Sequence, residues 1–252
     1  MVCQGLRKKP IVHSQNESYC MNAKIYFLCF LSLVTCCALG FHNRALAQQK
    51  ASKPEQENRF EKAIQAFEKS DKSNPPAQGT VLFLGSSSIR MWDLKKWFPD
   101  KKYLNRGFGG SEISDSIHFF DRVVVPYKPK VIVFYAGDND VAKGKTAEKV
   151  FSDFKTFASR VKKDLPQTRI VFVAIKPSLA RWKLVEPMRK ANQLIKGYAD
   201  GDKQIVFADI DTPMIGKDKK PMIKLFKEDG LHLNEQGYKI WFDVIQPLLK
   251  LN

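Results

Sequence analysis

Beyond Cys37 the sequence contains no cysteine; all five (Cys3, Cys20, Cys29, Cys36 and Cys37) lie near the start. The long remainder therefore has no disulfide, no thiolate nucleophile and no cysteine-based metal site. Histidine is nearly as scarce. Past residue 47 only His118 and His232 occur, so an imidazole base has two candidates. The glycines never complete a G-x-G-x-x-G: GFGGSE (107–112) lacks that spacing, and no acid follows at a ribose-binding distance. Dinucleotide binding is thereby disfavoured. No internal repeat, low-complexity tract or nucleic-acid-binding motif is visible.

One long apolar run is present, the 17 residues from Ile25 to Phe41, at the lower edge of what spans a bilayer as a helix. Lys24 precedes it and Ala45-Leu46-Ala47 follows. A short positive stretch, an apolar core and an A-x-A tripeptide predict a secretory signal peptide over 1–47, cleaved after Ala47, and a periplasmic or secreted product. A retained membrane anchor is the alternative. Leu33-Val34-Thr35-Cys36 faintly resembles a lipoprotein attachment site, with Thr35 poorly suited before the cysteine, and Met21 stands as an alternative start.

The formal charge is +16, from 42 Lys and Arg against 26 Asp and Glu. Cleavage would remove five bases and Glu17, leaving 37 bases, 25 acids and a charge of +12. Such a balance suits acidic glycans, envelope lipids or nucleic acid, and equally a solvated basic surface. Without an RNA- or DNA-binding motif, no nucleic-acid partner is expected, nor stable membrane insertion once the signal is removed.

Residues 48–79 read as a polar linker and an amphipathic helix, with Phe60, Ile64 and Phe67 on one face. Pro75 and Pro76 end it. The main domain is expected over 80–252. There, strand-like runs at 81–85, 131–137, 169–175 and 204–210, and a weaker one at 103–105, alternate with helical patterns near 112–125, 146–163, 184–199 and 234–250. Strands apolar on both faces, separated by amphipathic helices, predict an α/β fold with a parallel sheet covered on both sides. Right-handed crossovers then give a three-layer α/β/α sandwich.

In such sheets ligands bind beyond the carboxyl ends of the strands. The residues there are Ser86-Ser87-Ser88, Arg106 to Ser111, Asp138-Asn139-Asp140 and Glu228 to His232. A serine hydroxyl becomes nucleophilic when a base takes its proton and a third group fixes that base. His118 sits mid-helix and is expected to pack or face solvent. His232 sits at the rim, three residues after Asp229, a spacing that lets one turn bring carboxylate to imidazole. Asp229 can equally cap a turn. The glycines allow backbone N–H groups to approach a reacting oxygen, or simply make a tight turn. Asn139 can donate its amide to that oxygen, or close an Asx turn.

Taken in order, Gly85-Ser86-Ser87, NRGFGGSE (105–112), GDND (137–140) and DGLH (229–232) resemble the SGNH branch of the GDSL esterase/acylhydrolase family, over Thr80–Asn252. The resemblance implies a flavodoxin-like five-stranded sheet. It assigns Ser87 as nucleophile and Asp229 and His232 as its triad partners. Ser87 N–H, Gly110 and Asn139 become the oxyanion hole, with no cofactor or metal. Ser86 departs from the family pattern, which has aspartate there. Ser86 and Ser88 are expected to cap a helix starting near Ile89.

The family includes carbohydrate O-acetyl esterases, lipases, thioesterases and lysophospholipases. Arg181 and Trp182, after the fourth strand, and the lysines of GKDKKPMIKLFK (216–227) suit a polar, anionic glycan or simply solvent. The expectation is hydrolysis of short-chain (acetyl) esters on a small ester or O-acetylated glycan. The alternatives are a lipase-, lysophospholipase- or thioesterase-type acylhydrolase, an O-acetyltransferase, a catalytically silent glycan-binding module, and, on fold class alone, a flavodoxin-type redox protein.

Overall fold

The computed structural model describes residues 59–250, within one compact unit, Arg59–Asn252. The predicted signal peptide lies outside the described residues. Among those described, no helix is long and apolar enough to cross a membrane.

Five strands form one all-parallel sheet: β1 (Val81–Gly85), β2 (Leu104–Gly107), β3 (Val131–Tyr135), β4 (Arg169–Val173) and β5 (Ile205–Ala208), in the order β2-β1-β3-β4-β5. The central strands are apolar apart from Arg169 at the start of β4, yet the pleat sends alternate side chains to opposite faces. Leu82, Leu84, Ile132, Phe134, Ile170 and Phe172 enter one core. Val81, Phe83, Val131, Val133, Tyr135, Val171 and Val173 enter the other. Two cores flanking one sheet make the three-layer sandwich.

The first core is covered by α1 (Glu61–Ser73), α4 (Ile113–His118), α5 (Phe120–Val123), α7 (Ala147–Asp164) and α8 (Val185–Asp200). In α7 the buried stripe is Val150, Phe154, Phe157 and Val161, and Phe157 stacks on Phe134 with centroids 4.2 Å apart. The second core is covered by α2 (Ser87–Arg90), α3 (Leu94–Trp97) and α9 (Glu235–Ile245). The short α6 (Asp138–Ala142) follows β3.

Two of the longer helical patterns differ from the sequence reading. The pattern over 112–125 is broken at Phe119, which lets both Phe119 and Phe120 reach the core. The last helix ends at Ile245 and continues as a 3-10 turn, Gln246–Leu249. Pro247 cannot supply the N–H that another α-turn needs.

The amphipathic N-terminal helix is not an appendage. Ile64 is fully buried, and Phe60 meets Phe108 edge to face at 5.1 Å. Arg106 lies beneath α1: its Nε donates to Tyr127 Oη at 2.8 Å, and its Nη2 to Asp71 of α1. Tyr127 donates to the same carboxylate at 2.6 Å. Burial, with Asp71 adding to it, pushes the Tyr127 phenol up to about 12.

The strand order reverses between β1 and β3, so their following loops diverge and leave a crevice.

Candidate active site

Each functional side chain is placed by a backbone feature at that crevice. The chain leaves β1 through Gly85 at φ +141, where a Cβ would lie 1.9 Å from the Tyr135 carbonyl oxygen. Only glycine fits so close to the neighbouring strand. Ser86 follows, fully buried, and Ser87 opens α2. The helix thus begins two residues earlier than the sequence suggested. Neither flanking serine caps it: Ser86 makes no side-chain cap, its Oγ is buried without a partner, and Ser88 is buried too. Of the triplet, only Ser87 reaches the cleft.

At the end of β2, Gly107 lets α2 pack directly on the strand, since a Cβ there would sit 2.2 Å from the Arg90 nitrogen. Asn105 fastens that helix by donating to the Ile89 carbonyl at 2.7 Å. Gly110 then turns the loop at φ +83. Among the described residues, no acceptor meets the backbone N–H of Ser87 or of Gly110. Both residues line the cleft.

Asn139 lies in the first turn of α6. Its Nδ2 donates to the Ser111 carbonyl at 2.9 Å, and its Oδ1 accepts from Arg181 at 3.0 Å. A guanidinium only donates and a carbonyl only accepts, so the amide has one orientation. The second Nδ2 hydrogen is left for the cleft. Arg181 also donates to Asp138 at 3.0 Å. Behind it Lys176 is almost fully buried, with Nζ 3.6 Å from Asp138, and burial pushes its amine down. Asp140 clamps the loop after β2 to α6 by accepting from Ile113 N–H and from Lys145. Burial pushes its carboxyl up, against the pull of Lys145.

The fourth element is the loop before α9. Asp229 Oδ1 accepts from the N–H groups of Leu231 (2.9 Å) and His232 (2.8 Å), and Oδ2 lies 2.6 Å from His232 Nδ1. The bond from the imidazole, then the two backbone bonds, hold this carboxyl well below the usual range. His232 Nε2 lies 3.1 Å from Ser87 Oγ. Asp229 therefore does both things the sequence left open: it closes the turn and meets the imidazole. His118 is exposed at the end of α4, outside the cleft.

Ser87, Gly110, Asn139 and His232 open into one cleft of about 820 Å³. Arg181 lines it as well. Trp182, expected beside it, does not; its ring lies 5.6 Å from the Arg189 guanidinium instead. None of the lysines of 216–227 reaches the cleft either. Sequence reasoning missed one whole wall: Phe60, Ala63, Ala66 and Phe67, with Arg59 before them. It also missed Arg90. Among the described residues, no group of three or more His, Cys, Asp or Glu is placed to hold a metal ion.

Residues 86–240 match the GDSL-like lipase/acylhydrolase family. The chain belongs to that family. Its class is therefore that of hydrolases acting on esters. No curated protein matches the sequence. Among solved structures, a Streptococcus pneumonia protein described as a platelet activating factor is similar at 19% identity and TM-score 0.67, covering 85% of this chain and 99% of its own. A GDSL-like lipase from Bacteroides thetaiotaomicron is similar at 22% identity and TM-score 0.63, with 74% and 96% covered. An acetylxylan esterase from Geobacillus stearothermophilus is similar at 14% identity and TM-score 0.57, with 70% and 96% covered. At these identities the likeness is one of fold.

Proposed function

We propose that this GDSL-family chain is a serine esterase working through an acyl-enzyme, with Ser87 as nucleophile, His232 as general base and acid, and Asp229 as the group that orients His232. The observation that carries the reading is the continuous line from Asp229 Oδ2 to His232 Nδ1 (2.6 Å) and from His232 Nε2 to Ser87 Oγ (3.1 Å). Ser87 Oγ attacks the ester carbonyl carbon while its proton passes to Nε2. The carbonyl oxygen takes up negative charge, facing Ser87 N–H, Gly110 N–H and Asn139 Nδ2. The bond to the alcohol breaks as Nε2 returns the proton to it. Water, deprotonated by the same nitrogen, then adds to the acyl carbon, and the bond to Oγ breaks as Nε2 hands it the proton taken from water.

The substrate we propose is a short-chain, acetyl ester on a carbohydrate. The broad cleft and its arginines support it, and the fold is shared with an acetylxylan esterase. The apolar segment Ile25–Phe41 before Ala45-Leu46-Ala47 supports work outside the cytoplasm. A second reading rests on the wall formed by Phe60, Ala63, Ala66 and Phe67, which suits a longer acyl chain. Nitrophenyl esters from acetate to palmitate separate the two. The first requires turnover to fall steeply beyond about four acyl carbons, and acetate to be released from acetylated polysaccharides. A steep rise toward palmitate would overturn it.

A further inference from the structure

Three guanidinium groups line the cleft, those of Arg59, Arg90 and Arg181, and among the described residues no Asp or Glu lines it. Two of the three are engaged. Arg181 holds Asp138 and Asn139. Arg59 donates to the Gly110 carbonyl at 2.9 Å and faces Glu112 and Asp115 at 3.9 and 3.8 Å.

Arg90 differs. Among the described residues it has neither an ion-pair partner nor a side-chain hydrogen bond, although a guanidinium presents five donors. Its position is nevertheless built. A Cβ on Gly109 would come within 2.9 Å of Nε and 3.2 Å of Nη2, so the Nε–Nη2 edge of this exposed guanidinium lies against a glycine that leaves it room. Arg90 and Ser87 are also three apart on α2. That spacing puts them on one helix face, with Cβ atoms roughly 5–6 Å apart. A planar fork with open donors, one turn from the nucleophile and in a wall without carboxylates, matches an oxyanion group bidentately.

We propose that Arg90 is the specificity residue of this cleft: it binds a carboxylate or phosphate on the alcohol half of the ester, so that the preferred substrate is an acylated anionic sugar. This rests on the esterase reading and narrows it. Charge is what Arg90 selects, whereas the acyl group meets Ser87 and the oxyanion donors.

The test compares kcat/KM on O-acetylated methyl glucuronide, methyl glucoside and methyl glucoside 6-phosphate. The wild type is expected to favour an anionic sugar about tenfold or more, with the preference shrinking as salt rises. The favoured anion, carboxylate or phosphate, names the source. Arg90→Gln should bring the ratio to within about threefold of unity, and Arg90→Lys should keep part of it. A wild type that treats charged and neutral sugars alike, or an Arg90→Gln variant that keeps the full preference, overturns the proposal. Calorimetric binding of methyl glucuronide and glucose 6-phosphate to Ser87→Ala, with and without Arg90→Gln, reads the anion site without turnover. Anion binding lost with Arg90 but no ester turnover would sink the esterase reading and leave the site. Turnover with no Arg90-dependent binding or preference would do the reverse. Thermal melts establish that each variant is folded.

Discussion

Arg181 donates one guanidinium nitrogen to Asn139 Oδ1 and another to Asp138 Oδ2, each at 3.0 Å. This fork fixes which end of the amide is left for the cleft that Ser87 also lines. Removing the amide by Asn139→Ala should lower kcat by a factor on the order of 10²–10³. Arg181→Ala should lower kcat through the same amide, and Arg181→Lys should not restore it, because one ammonium cannot span both acceptors. In a double-mutant cycle, the pair should be little worse than Asn139→Ala alone; additive losses would show that Arg181 acts separately.

Asp229 makes three bonds within its loop, to the His232 ring and to the N–H groups of Leu231 and His232. Asp229→Asn should reduce kcat by a factor on the order of 10³–10⁴, because an amide can favour the wrong imidazole tautomer. Its carboxyl is held below the usual range, so the folded state binds this proton less tightly than the unfolded chain does. The pairing therefore contributes stability above the ordinary carboxylate range and loses it as pH falls through the lowered value. Acid unfolding of wild type and Asp229→Asn, followed by circular dichroism, should differ in that direction.

The glycines are not equivalent. Gly85→Ala places a methyl 1.9 Å from the Tyr135 carbonyl oxygen, and Gly107→Ala places one 2.2 Å from the Arg90 nitrogen. Each should cost at least about 3 kcal/mol or prevent folding. Gly110 has φ +83 but open space, so Gly110→Ala should fold and cost about 1 kcal/mol. Denaturant titrations rank the three, and a Gly85→Ala chain as stable as wild type would contradict the geometry.

Tyr127 ties the cleft's helical wall to the sheet. Its phenol is pushed up to about 12, so the folded state holds this proton more tightly than the unfolded chain. The contribution is complete below about pH 10, the ordinary phenol value, and is lost as pH rises toward 12. Tyr127→Phe should cost about 1–2 kcal/mol at neutral pH. The gap between the two melting curves should narrow between pH 10 and 12; a constant gap would argue against the Tyr127–Asp71 bond.

Strands and their order of use were legible because parallel strands buried on both faces leave continuous apolar runs, as at Val131–Tyr135. The strand-end rule picked out the serine triplet, Asn139 and His232 as candidates, because sheets of this kind present chemistry there, and the family resemblance singled out Ser87. The N-terminal wall was not legible. Phe60 and Phe67 show a helical face, but the partner that receives it, Phe108, lies far along the chain. Arg106 and Asp71 likewise carry no local sign of their pairing. Trp182 misled for the opposite reason: it stands beside Arg181 in sequence but pairs with Arg189 of α8.

The most direct test is stoichiometric labelling with a fluorophosphonate, read by intact-protein and peptide mass spectrometry on wild type, Ser87→Ala and His232→Ala. The expected result is one adduct per chain, on Ser87, absent from Ser87→Ala and slowed by at least about 10³ in His232→Ala. An adduct on Ser86 or Ser88, or labelling indifferent to His232, would contradict the account.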